Sequence, residues 1–126
     1  MRSQKPPSSP GIDALLPLKP DVFQVLLAME TAPLHGYGIL KQVEEATDGA
    51  LRLAPSLLYR KLRRLLEDGL VVEANDVAAT DSDDERRRYY ALTQLGRAVL
   101  TAEASRIVTL AGSRRIRSLA KQARDA

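Results

Sequence analysis

The side chains best equipped for chemistry in this sequence are guanidinium groups, and they fall into two clusters. Arg60, Arg63 and Arg64 form one, and the consecutive Arg86, Arg87 and Arg88 form the other. A guanidinium is a permanently charged planar fork, which suits phosphate oxygens and can also bond O6 and N7 of guanine together. Bond-breaking chemistry finds much less to work with. There is no cysteine, which excludes disulfides, thiolate nucleophiles and thiolate-held metals. His35 is the single histidine and stands beside Gly36 at a helix start, a structural position. Asp83, Asp84 and Glu85 are loop carboxylates with no base or metal ligand to work with. No phosphate-cradling glycine loop, dinucleotide fingerprint or nucleophile–base pair is present. These residues predict neither an enzyme nor a cofactor.

The first cluster must be carried by a helix. Pro55 opens it, since a proline loses nothing at the first helical position, and Gly69 closes it after Asp68. At 100° per residue Leu58, Leu62, Leu65 and Leu66 share one arc, while Ser56, Arg60, Arg63 and Arg64 share the opposite arc. Tyr59 and Lys61 lie on the flanks. An apolar back and a basic front are what a helix needs to dock in the major groove of a duplex. Residues near the N-terminus of such a helix reach base edges, which nominates Ser56, Leu57 and Arg60 for sequence reading. Arg63 and Arg64 lie further along and suit phosphate. A basic helix face is often merely solvated. Here its place third in a helical series, followed by a hairpin with a second basic cluster, favours the nucleic-acid reading.

The flanking pattern supplies that series. Pro20 starts a helix whose residues Val22, Phe23, Val25, Leu26, Leu27 and Met29 are apolar nearly all round, so it is buried on more than one side. Ala32 to Gly36 turns the chain, and a second helix runs from about Tyr37 to Thr47 until Asp48-Gly49 stops it. Leu51-Arg52-Leu53 alternates like a very short strand. After Gly69, Leu70 to Glu73 reads as a strand, Val77 to Glu85 as an acidic loop, and Arg86 to Leu92 as a second strand. Leu92 needs burial and carries Tyr90 inward with it, which leaves Arg86 at the wing tip and Arg87 outward. Thr93 is placed to cap a last helix whose Leu95, Val99, Leu100, Ala104, Ile107, Leu110 and Ala111 recur at three-to-four spacing. Gly112-Ser113 kinks or ends that helix, and the remainder to Ala126 is basic.

With 126 residues, 44% of them hydrophobic and 28% charged, the chain suits one globular domain. The net charge of +3 is small, so the placement of the cations matters more than their excess. No apolar run approaches the ~20 residues that span a bilayer. The Ser- and Pro-rich start lacks a signal-peptide core, so a cytoplasmic protein is expected. The division is a disordered tail over 1–14, a winged helix-turn-helix over 15–92, and a C-terminal helix with a basic tail over 93–126. The fold class is mostly α with a small β-hairpin.

Four segments in register carry a resemblance. They are His35-Gly36-Tyr37-Gly38-Ile39; Leu53 to Tyr59; Leu62-Arg63-Arg64-Leu65 with Glu67-Asp68-Gly69-Leu70; and Arg86 to Thr93 with Leu95-Gly96. Together they resemble the PadR family of bacterial regulators over about Leu18 to Leu110. The resemblance implies a winged helix-turn-helix with a C-terminal dimerisation helix, working as a homodimeric repressor on palindromic operator DNA. It also implies release by a small aromatic or drug-like effector, and a DNA-backbone contact from Tyr59. Phe23 and Met29, on the first helix, are the candidate effector contacts at a dimer-interface cavity. The chain departs from the family pattern at Leu57, where threonine is usual, and at Lys19, where a serine cap is usual. It also has no tryptophan, so the aromatic sandwich of some relatives is not carried over. Two rival readings remain: a winged helix used for protein contact, and a DNA binder that answers to no ligand.

Overall fold

The computed structural model describes residues 9–74 and 88–125. The chain begins with α1 (Ser9–Leu15) and α2 (Pro20–Ala28), then a two-residue strand β1 (Leu34–His35) and α3 (Gly36–Ala46). After α4 (Pro55–Glu67) come β2 (Val71–Glu73) and β3 (Tyr89–Leu92), and finally α5 (Gln94–Ala111) and α6 (Arg114–Asp125).

Local chemistry explains most of these boundaries. Pro20 and Pro55 occupy the first turns of α2 and α4, where the missing N–H has no helical partner to lose. Nδ1 of His35 accepts the Gly38 N–H at 3.0 Å, so the lone histidine is the cap of α3. Thr93 Oγ1 accepts the Gly96 N–H at 2.9 Å and donates to the Gly69 carbonyl at 2.6 Å, capping α5 and joining it to the end of α4. Gly69, at φ 79°, lets the Leu70 N–H turn back to the Leu65 carbonyl at 3.0 Å. That close leaves α4 a defined length before the sheet.

The core is a single cluster. Val25 and Leu26 of α2, with Met29 at its C-cap, meet Ile39 and Val43 of α3, Leu58, Leu62 and Leu65 of α4, and Val99 and Leu100 of α5. Leu70, Val71 and Tyr90 close it from the sheet side. The sheet is antiparallel in the order β1-β3-β2, with Leu34 opposite Tyr90 and Val71 opposite Leu92. Tyr90 points inward and Val72 outward, as the inward placement of Leu92 requires. Burial raises the Tyr90 phenol above its ordinary range, with the Glu73 charge adding to the effect.

Several expectations are corrected. The sheet has a third strand, β1, inside the segment read as a plain turn, because Leu34 and His35 extend alongside Tyr90 and Tyr89. Leu51–Leu53 is not a strand; the Leu51 N–H bonds Thr47 Oγ1 at 3.1 Å, and Leu51 and Leu53 lean on the core. The tail assigned to 1–14 carries α1 from Ser9, and Ile12 packs against the core. Residues 114–125, left open by the sequence, form α6. No helix among the described residues is long and apolar enough to cross a membrane.

Candidate nucleic-acid interface

The faces of α4 separate as its spacing requires. Leu58, Leu62 and Leu65 are buried and Leu66 is half-buried, while Ser56, Arg60, Arg63 and Arg64 are exposed. Leucine packing against α3 and β2 therefore holds the guanidinium side toward solvent. That burial is worth roughly 1.5–3 kcal/mol per leucine side chain, and it is the anchoring that keeps the basic side outside.

The cations of α4 do not all stand alike. Arg64 Nε reaches Asp68 Oδ2 one turn later at 3.2 Å. Lys61 Nζ reaches Asp21 Oδ2 of α2 at 2.8 Å. Arg60 and Arg63 have no ion-pair partner among the described residues. Leu57 is half-buried in a groove of about 550 Å³ between α4 and the α1–α2 connection, so it presents only part of its side chain outward. Ser56 is exposed.

Tyr59 is half-exposed at the flank and lies over the first turn of α3. A Cβ at Gly36 would sit 2.7 Å from Tyr59 Cζ and closer still to its hydroxyl, so any larger residue there would push the tyrosine ring aside. Tyr37, beside it, is 69% exposed. The start of α3 and the flank of α4 thus bring two exposed phenols, Tyr37 and Tyr59, to the outside of the domain. Sequence reading did not nominate Tyr37; its signal was a large aromatic on the face of α3 away from Ile39 and Val43. Arg88 is exposed and pairs with Glu73 at 3.6 Å. Arg86 and Arg87, the wing residues, lie outside the described residues, as do the acids Asp76, Asp81, Asp83, Asp84 and Glu85.

The effector residues separate. Met29 is 2% exposed and packed in the core, on the side of α2 that meets α3 and α5. Phe23 is half-buried and lines a cavity of about 350 Å³ with Leu18, Gln24, Leu51, Arg106 and Ile107. This cavity lies within one chain, between α2, the end of α3 and α5. At its edge is a feature the sequence did not advertise, the buried carboxylate of Glu103, 2% exposed. Arg106 grips it with two bonds at 2.7 and 2.8 Å, and the Leu18 N–H adds a third at 3.3 Å. The Arg106 hydrogen bond outweighs burial and holds the Glu103 carboxyl below the usual range.

The family model described as transcriptional regulator PadR-like matches residues 25–102, from within α2 into α5. A protein of transposon TN4556 from Streptomyces fradiae, uncharacterised and of 37.1 kDa, is 35% identical over 88 residues, covering 70% of this chain. The chain spans 23% of that relative's length. Among solved structures, Bacillus subtilis PadR in complex with operator DNA superposes with a TM-score of 0.56 at 20% identity, covering 67% of this chain and 47% of that one. A transcriptional regulator from Clostridium thermocellum gives 0.58 at 20% identity, over 82% and 89% of the two chains. A PadR-family regulator from Clostridium difficile gives 0.57 at 24% identity, over 71% and 88%. At these identities the superpositions establish a shared winged-helix fold.

Proposed function

The chain belongs to the PadR-like family of transcriptional regulators, and from that premise we propose that it is a sequence-specific double-stranded-DNA-binding repressor acting as a homodimer. The observation that carries this reading is the outer face of α4, where Arg60 and Arg63 stand exposed on a leucine-anchored helix with no ion-pair partner among the described residues. Ser56 and Arg60, with the exposed part of Leu57, read base edges; Arg63 and Arg64 meet phosphates, and Tyr59 and Tyr37 hold the backbone beside the groove. Arg86 and Arg87 extend the contact from the wing. An apolar outer face on α4 would favour a protein partner instead, and this face is basic.

Dimerisation is supported by what α5 and α6 leave uncovered. Ile107, Val108 and Leu110 are exposed on α5, and Ile116 and Leu119 on α6. So large an apolar surface on two consecutive helices suits a second copy. A palindromic operator then follows from the two-fold axis. The cavity lined by Phe23 and Ile107 touches α5 and is where a small aromatic effector would act.

The test is titration of the full chain against a duplex recovered by in-vitro selection and against its scrambled form, over a range of salt. Tight, selective binding that weakens steeply with salt is expected, because arginines displace condensed counterions. Binding indifferent to both sequence and ionic strength refutes the proposal.

A further inference from the structure

Four cations crowd the middle of α4: Arg60, Lys61, Arg63 and Arg64. Like charges at neighbouring positions and one turn apart repel, so the helix gains from having some of them matched. Two are matched, and differently. Arg64 pairs with Asp68 of its own helix in the open, its side chain 75% exposed. Lys61 pairs with Asp21 across to α2, and these two side chains are only 17% and 25% exposed. Among the described residues this is the ion pair that joins α4 to another element.

The geometry of the pair is directional. One oxygen of Asp21 accepts the Val22 N–H at 2.7 Å, and the other takes Lys61 at 2.8 Å. The carboxylate is therefore fixed at the first turn of α2, where the helix dipole also favours a negative charge. Partial burial opposes that charge, but the hydrogen bond and positive charge of Lys61 prevail and hold the carboxyl below its ordinary range. Sheltered from solvent, the contact is screened by salt less than an exposed pair is. Lys61 lies on the flank of α4, between its leucine back and its arginine front. Leucine packing alone tolerates small rotations of a helix, whereas a fixed point on the flank does not. Base-edge contacts demand placement within about 0.5 Å.

We propose that Asp21 and Lys61 are positioning residues for base recognition: their ion pair sets the rotation of α4 that aims Arg60 and Arg63 into the groove. Lys61 is accordingly spent on this task and is not a DNA contact. The inference rests on α4 being the DNA-reading helix.

The experiment compares wild type with Asp21→Asn, Lys61→Met and Asp21→Glu, each as the full chain. Affinity is measured for the selected duplex and its scrambled form, with the thermal midpoint of the free protein read alongside. Asp21→Asn and Lys61→Met change net charge in opposite directions. Both are nevertheless expected to lower the ratio of specific to scrambled affinity about tenfold, the scale of one lost base-edge contact. Asp21→Glu, which keeps the charge, is expected to retain most of the ratio. The proposal is overturned if the two neutral variants shift binding in opposite directions with an unchanged ratio, the mark of bulk electrostatics. It is overturned equally if specific and scrambled affinities fall together with the thermal midpoint, the mark of general unfolding, or if nothing changes. A wild type with no sequence preference removes the DNA reading and this inference together. A selective wild type whose variants stay equally selective removes only the inference.

Discussion

Gly96→Ala offers a sharp test of how the sheet and the last helix are joined. Gly96 is buried in the first turn of α5, directly against the backbone of Leu70 where the chain leaves α4 for β2. A Cβ there would lie 2.9 Å from the Leu70 carbonyl carbon and nearer still to its oxygen. The obstacle is backbone, so no side-chain rotation can relieve it, and α5 must withdraw from Leu70. The same Leu70 oxygen accepts the Thr93 N–H at 3.0 Å, and withdrawal stretches that bond. Losing it costs about 1 kcal/mol, and forcing atoms into a packed site costs about 1–3 kcal/mol more. Alanine's better helix propensity returns about 1 kcal/mol. The net expectation is a destabilisation of about 1–3 kcal/mol, dominated by the overpacking. Urea unfolding at one fixed protein concentration reads it, since self-association adds to apparent stability. Gly112→Ala is the control: its new Cβ would meet nothing closer than 3.5 Å, so it should be neutral or slightly stabilising. A Gly96→Ala protein as stable as wild type would refute the close approach of α5 to Leu70.

Arg60→Ala should weaken binding to the selected duplex by about 1–3 kcal/mol, with a smaller loss on scrambled DNA. Equal losses on both would reassign Arg60 to phosphate. Glu103→Gln tests the buried carboxylate by pH. Because the folded carboxyl is held low by Arg106, its contribution is present above the unfolded pKa and is lost as pH falls through the folded value. Wild type should therefore lead Glu103→Gln in urea midpoint at neutral pH, and the gap should close on acidification; a gap independent of pH rules this out. Val108→Asp places a charge on the most exposed large hydrophobic residue of α5, which is 70% exposed. Sedimentation should show its dimer dissociating at concentrations where wild type remains paired, and an unchanged dimer would locate the interface elsewhere.

The sequence displays what depends on period and punctuation. The two arcs of α4, the Thr93 cap, Pro20 and Pro55 as helix starts and Gly69 as a stop all follow from local rules, and the structure has each of them. What it conceals depends on partners distant along the chain. β1 is two residues long and exists because Tyr89 and Tyr90 lie alongside it. The first helix reads as apolar nearly all round, and only the packing of α3 and α5 decides that the Met29 side is core. Glu103 falls in the apolar stripe of α5 between Leu100 and Ile107, where a carboxylate reads as an interruption. Its sense comes from Arg106 one turn on and from the Leu18 N–H, 85 positions away. Asp21 stands in the first turn of α2, and its partner Lys61 lies on another helix, 40 positions along the chain.

The pairing pattern also explains how a chain with a net charge of only +3 can address a polyanion. Arg52 is matched by Glu44, Arg88 by Glu73 and Arg97 by Glu30, so much of the winged-helix surface is electrically quiet. Among the described residues from α2 to β3, the cations without an ion-pair partner are Lys41, Arg60 and Arg63. Two of the three stand on the outer side of α4. Among the described guanidiniums from α2 to β3, Arg52, Arg64 and Arg88 each have a carboxylate beside them and Arg60 and Arg63 do not; in α6, Arg114, Arg115, Arg117 and Arg124 likewise have no ion-pair partner among the described residues. On the proposed DNA-binding reading, matching Arg52, Lys61, Arg64 and Arg88 leaves Arg60 and Arg63 as the unopposed guanidiniums of the described winged-helix segment, so preference for the groove there would owe more to neutralised neighbours than to accumulated charge.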